Sequence, residues 1–162
     1  MPRSPIAVLR NLATATFLIS ASCATVMADE LRWHFRIFES TAQAFLSDCT
    51  DCDGAVFSAI CTKGEAITLI PQMNVEGGKA GERRNVTFLF GDGAVDVRGE
   101  LVANEIDDTI EPVITVRTDH EILQLMQEFE RVEIMVHSGP SVVISLTGAS
   151  SVFGKLRSFC GS

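Results

Sequence analysis

Leu31, Trp33, Phe35 and Ile37 alternate with Arg32, His34 and Arg36, the two-residue period of a strand with one buried face. Residues 40 to 55 are rich in turn formers and acids, ending in Ser47-Asp48-Cys49-Thr50-Asp51-Cys52-Asp53-Gly54, and read as a loop tied down by its own cysteines. Val56 to Cys61 and Ala66 to Ile70 flank Thr62-Lys63-Gly64-Glu65, where glycine can take the positive φ of a tight hairpin. Asn74 to Asn85, with Gly77-Gly78 and Gly81, reads as a flexible connection. A second hairpin is expected from Val86 to Phe90 and Ala94 to Val97 around Gly91-Asp92-Gly93, its second strand running on to Val102 with a bulge or bend at Gly99. After an acidic turn from Glu105 to Glu111, Pro112 to Thr118 is a further strand candidate.

The period then changes. Thr118-Asp119-His120-Glu121 fits a capping box, and Ile122, Leu123, Met126 and Phe129 recur at helical spacing, which predicts a short amphipathic helix over 119 to 130. Val132 to Val136 and Val142 to Leu146 form a third hairpin around His137-Ser138-Gly139-Pro140. Ser151 to Cys160, with Val152, Phe153, Leu156 and Phe159 on one face, closes the chain as a second short helix. Hairpins in series with two late helices define an α+β protein of mainly antiparallel sheet, a sandwich or half-barrel. Alternating βαβ units are absent, which argues against a doubly wound nucleotide-binding fold. One core is expected from Trp33, Phe35, Ile37, Ile67, Leu69, Val116, Met126, Phe129, Val143, Leu156 and Phe159.

The N-terminus sets the compartment in which this domain is expected to work. Arg3 and Arg10 precede an uncharged stretch from Leu12 to Ala24, and Val26-Met27-Ala28 places a small residue before Asp29, the layout of a secretory signal peptide over 1 to 28. The stretch is short and diluted for a membrane anchor, and Ser20-Ala21-Ser22 before Cys23 lacks the aliphatic residue of a lipobox. Residues 29 to 162 are then one periplasmic or secreted domain. The whole chain carries a formal charge of −8, and removal of two arginines makes it more acidic still. Phosphate-rich nucleic acid is therefore excluded as a partner. Beyond Arg83-Arg84 no cationic cluster offers itself to anionic lipid, and stable membrane insertion is not expected.

Of five cysteines, Cys23 leaves with the signal, and Cys49, Cys52, Cys61 and Cys160 form an even set that an oxidising compartment would pair. Cys49-Thr50-Asp51-Cys52 has redox spacing, but Asp48, Asp51 and Asp53 surround the sulfurs and disfavour a thiolate. A small structural loop is the better reading. Zinc would need two further ligands that no second CxxC or HxxxH supplies. A calcium loop over Cys49 to Ile60 would lack its acids at the first and twelfth positions. His34, His120 and His137 fall on a strand, a helix start and a hairpin tip. No Gly-x-Ser-x-Gly elbow is present, and the glycine pairs lack the strand-to-helix layout that cradles phosphate. No cofactor, metal site or catalytic residue is assigned. Arg83-Arg84 and the run Glu105-Ile106-Asp107-Asp108 read as solvated faces, and a protein is the natural object for them to contact.

An early strand with Trp33, Cys61 on a central strand, an Arg117 segment before a short helix, and Ser145 to Cys160 (SLTGASSVFGKLRSFC) together resemble two groups of small secreted bacterial proteins. These are the VasI-like periplasmic accessory family of type VI secretion and the invasion-associated locus B-like family. The resemblance spans residues 31 to 160 and leaves out the Cys49/Cys52 loop. It implies a β-rich envelope protein of Gram-negative bacteria with no known catalytic residues.

A bridge from Cys61 to Cys160 would pin the terminal helix to a central strand, and one from Cys49 to Cys52 would seal the loop. The chain is accordingly expected to be a non-enzymatic binding or accessory module acting through an envelope protein partner, with Glu105, Asp107 and Asp108 as contact residues. The alternatives are an inhibitor-type binder of a basic, lysozyme-like hydrolase and an enzyme with a dispersed site.

Overall fold

The computed structural model describes residues 31–50 and 54–161; the expected signal segment and Cys52 lie outside them. In chain order the elements are β1 (Arg32–Phe38), β2 (Thr41–Ser47), β3 (Phe57–Thr62), β4 (Ile67–Pro71), β5 (Arg83–Phe90), β6 (Gly93–Asn104), β7 (Thr109–Val116), α1 (Glu121–Glu128), β8 (Arg131–Val136), β9 (Ser141–Ser145) and α2 (Ala149–Cys160). The strands form one nine-stranded sheet in the order β1-β2-β3-β4-β7-β6-β5-β8-β9, with every pair antiparallel. The sheet is not closed, and the two helices lie near the C-terminus, as the α+β reading expects.

The largest departure is β2. Residues 40 to 55 read as a loop in the sequence, yet Thr41 to Leu46 pair on both sides, Phe45 opposite His34 and Ser58. Ala42, Ala44 and Leu46 point into the core, and two of these three are alanines, too small to mark a strand against the acidic run that follows. Asn74 to Asn85 is likewise not a loose connection. Val75 is buried, its N–H donates to Ile110 O at 2.8 Å, and the Gly81 N–H donates to Leu101 O at 2.8 Å. Arg83 and Arg84 stand within β5 rather than on a loop. The acidic turn ends earlier than expected, because β7 starts at Thr109 and takes Glu111 into the sheet.

β6 carries the sheet around a corner. It pairs with β5 from Gly93 to Glu100 and with β7 from Glu100 to Asn104. The register runs through Gly99 without an extra residue, so no bulge forms there. A Cβ at Gly99 would lie 3.2 Å from both Ile114 Cγ1 and Val86 Cγ2, so its missing side chain admits its neighbours closely.

Helix α1 begins two residues later than the capping box suggests. Its N-cap is His120, whose ring accepts from the Ile122 N–H at 3.3 Å. Ile122, Leu123 and Met126 are buried, and α1 packs on α2, which packs on β1, β2 and β3. Six of the expected core residues are buried: Trp33, Ile67, Leu69, Val116, Met126 and Leu156. Phe35 and Phe159 pack partly buried against them.

Ile37, Phe129 and Val143 are corrections, being exposed. α1 stops at Glu128, so Phe129 leaves helical phase and lies against Phe90 at 5.7 Å instead. Val143 points outward because Ile144 takes the inner face of β9. Ile37 faces inward by alternation, but β1 is an edge strand and nothing among the described residues covers that end.

Candidate functional site

Cys61 on β3 and Cys160 at the end of α2 are joined, 99 residues apart in sequence, the pairing expected from their places in the chain. The Gly64 N–H donates to Cys160 O at 3.2 Å, so the β3–β4 hairpin grips the same helix end. A cavity of about 440 Å3 beside this junction is lined by Gly64, Glu65, Ala66, Arg117, Thr118, Cys160 and Gly161. Arg117 is engaged there by Asp119, with Nε and Nη2 donating to the two carboxylate oxygens at 3.0 and 2.8 Å. This hydrogen bonding holds Asp119 below the usual carboxylate range and Arg117 above its ordinary value. Arg84 and Glu82 form a second two-pronged pair, at 2.8 and 3.2 Å, which lowers Glu82 in the same way. Cys49 is also in a disulfide. Cys61 and Cys160 bond each other, so its partner lies outside the described residues, as does the expected pairing with Cys52.

Glu105, Asp107 and Asp108 occupy the turn between β6 and β7, where Asp108 takes a positive φ of 52°. Asn104 organises this turn. Its carbonyl oxygen accepts from the N–H groups of Ile106 at 3.0 Å and Asp107 at 3.4 Å, and its amide donates to Asp107 Oδ2 at 3.1 Å and Glu111 Oε1 at 3.0 Å. Asp107 is thus drawn into the turn's own hydrogen bonding. Ile106 stands at the tip, 92% exposed.

The histidines are dispersed. His34 stacks on Phe45 at 5.1 Å with its Nε2 enclosed and unpartnered, His120 caps α1, and the His137 backbone N–H donates to Asn85 O at 2.9 Å in the hairpin turn. Among the described residues, no group of three or more His, Cys, Asp or Glu is arranged to hold a metal ion. No helix among them is long and apolar enough to cross a membrane.

The surface that sequence reasoning missed lies between β1 and α2. Phe35 and Ile37 on the strand face Ser151, Gly154, Lys155 and Ser158 on the helix across a groove of about 660 Å3. The Lys155 ammonium sits 6.0 Å from the centre of the Phe35 ring. On the opposite face of β1 the Arg36 guanidinium lies over Phe38 at 5.0 Å and Phe45 at 4.7 Å, and its Nε donates to Gln43 Oε1 at 2.7 Å. Leu31 just before β1 and Ile37 and Phe38 at its end are large exposed apolar residues, Ile37 on the groove face and Phe38 on the other. A signal was present in the small residues Ser151, Gly154 and Ser158, which recur on one side of α2, but only the fold sets them opposite an edge strand.

Together these features define an open antiparallel β-roll whose C-terminal helix is bonded back to a central strand. A solved structure of this class is invasion associated protein B from Bartonella henselae, which superposes with a TM-score of 0.51 at 10% sequence identity over 78% of this chain and 92% of that one. At that identity the likeness is one of fold. The name of that protein corresponds to one of the two groups that the sequence resembles. No family model matches the chain, and no curated protein matches it in sequence.

Proposed function

We propose that this protein is an extracytoplasmic, non-enzymatic accessory module that acts by binding a protein partner in the bacterial envelope. The observation that carries this reading is the exposed apolar edge of β1. Ile37 is 52% exposed in the groove against α2 and Phe38 57% exposed on the opposite face of the strand, and exposed apolar surface with a polar rim is a usual mark of a protein contact. The Cys61–Cys160 bridge belongs with an oxidising compartment, and the fold likeness to an invasion associated protein is in keeping with that placement. Asn104 draws Asp107 and Glu111 inward, which leaves Glu105 and Asp108 as the freer acids of the β6–β7 turn and makes it the weaker contact surface.

Affinity capture from native envelope extract tests the proposal. The immobilised protein is expected to retain a discrete envelope protein and to show no turnover of ester, peptide, glycan or disulfide substrates. Reproducible turnover abolished by replacing one histidine would overturn it.

A further inference from the structure

β1 ends the sheet, and its backbone is open on one side. The Lys63 N–H donates to the carbonyl of Ser40, so by antiparallel alternation the even residues of β2 bond β3 and its odd residues bond β1. Gln43 pairs with Arg36, and Phe45 with His34. Phe35 and Ile37 therefore direct their N–H and C=O groups away from the sheet, and no described residue takes them up. Edge strands are commonly blunted by a bulge, a proline or an inward charge. Here the β1–β2 register is unbroken from Arg32 to Phe38 and the strand contains no proline.

The charge beside this edge is one-sided. β1, β2 and α2 contain four cations, Arg32, Arg36, Lys155 and Arg157, and no acid, in a chain of formal charge −8. The nearest acids along the sequence flank these strands: Glu30 before β1, Glu39 in the turn after it and Asp48 after β2. We infer that the groove between β1 and α2 is a docking site for an extended acidic segment of a partner protein, which adds a strand to β1.

This inference rests on the binding-module reading and names its surface and the chemistry of its partner. Backbone groups of the segment pair with those of Phe35 and Ile37. Alternate apolar side chains enter the groove over Ile37 and Gly154, where a glycine leaves space beside the helix. Acidic side chains project from the other face of the added strand toward Arg36, and Lys155 adds a positive field on the groove side. A second copy of this chain fits less well, because pairing two β1 strands brings together two edges that each carry Arg32 and Arg36 and no acid.

Fluorescence anisotropy with a labelled Glu-Val-Glu-Val-Glu-Val peptide tests the site. Binding is expected to weaken at least tenfold when the peptide carries Lys for Glu, when alternate peptide amides are N-methylated, and in the Ile37→Pro protein. Proline there removes an outward N–H, a change that edge strands tolerate. Lys155→Glu should weaken binding with the fold intact, which keeps the test decisive if Ile37→Pro does not fold. No binding of the acidic peptide, equal binding of the lysine peptide, insensitivity to N-methylation, or self-association abolished by Ile37→Pro would each overturn the acidic-strand site. An envelope protein captured equally by wild type and Ile37→Pro would sink this site alone and leave the binding-module reading standing on another surface.

Discussion

The indole N–H of Trp33 donates to the main-chain carbonyl of Ser145 at 2.9 Å, linking the two edge strands of the sheet by a side chain rather than a ladder. The Leu146 N–H donates to Glu130 O, so the even residues of β9 bond β8 and the carbonyl of Ser145 points off the edge, where Trp33 meets it. The same ring lies edge-on to Phe57 at 5.8 Å and to Phe153 at 5.2 Å. Trp33 thus holds the mouth of the roll and seats α2 at once. Trp33→Phe is expected to keep the ring contacts and lose about 1 kcal/mol with the hydrogen bond, and Trp33→Ala to lose about 3–5 kcal/mol. Urea midpoints of the two variants check this, and equal losses would mean that the hydrogen bond carries the effect.

The bridge between Cys61 and Cys160 closes a long loop, so it restricts the unfolded chain strongly in the chain-entropy picture. Cys160→Ser is expected to lower stability by about 2–5 kcal/mol. Thermal melts under non-reducing conditions provide the measurement, and a melt unchanged from wild type would show that helix packing alone holds α2.

Gly99→Ala tests the close approach at the corner of β6. Its Cβ would meet Ile114, Val86 and the Val113 carbonyl at 3.2 to 3.3 Å, so overpacking is expected to cost about 1–3 kcal/mol. A neutral effect in denaturant titrations would mean that the corner has slack.

Asn104→Ala removes the acceptor for two N–H groups and the donor to two carboxylates. The expected loss is about 1 kcal/mol, with faster hydrogen exchange confined to the amides of Ile106 and Asp107. Uniform exchange across the sheet would show instead that the turn is coupled to the whole fold.

The Arg117–Asp119 pair makes a pH prediction with a definite sign. Asp119 is held below its ordinary value, so pairing stabilises the fold fully at pH above the ordinary carboxylate range. That contribution fades as pH falls through the lower, folded value. Arg117→Gln should therefore lower stability slightly at pH 7 and not at all near pH 2. The pair is exposed, so the effect is small. Urea titrations across pH measure it, and a difference persisting near pH 2 would assign Arg117 a packing role.

Much of this molecule is legible in its sequence because the relevant forces are local. Gly64 with φ +80° and Gly91 with φ +57° turn their hairpins where the glycines fall, since only residues without a Cβ enter that region freely. The apolar stripes of α1 and α2 mark both helices, and the alternation from Trp33 onward marks the first strand. Tertiary structure alone decided the rest. A two-residue period says that a strand has two faces but not which is enclosed, so Val143 could be set inside when Ile144 is. Ala42 and Ala44 bury fully, yet contribute too little hydrophobic contrast to announce β2. Which hairpins neighbour one another, β4 beside β7 and β5 beside β8, depends on long-range burial that no local pattern encodes. The β1–α2 groove has the same origin. Phe35 and Lys155 come from opposite ends of the chain, and only the curl of the sheet and the bridge at Cys160 bring them together.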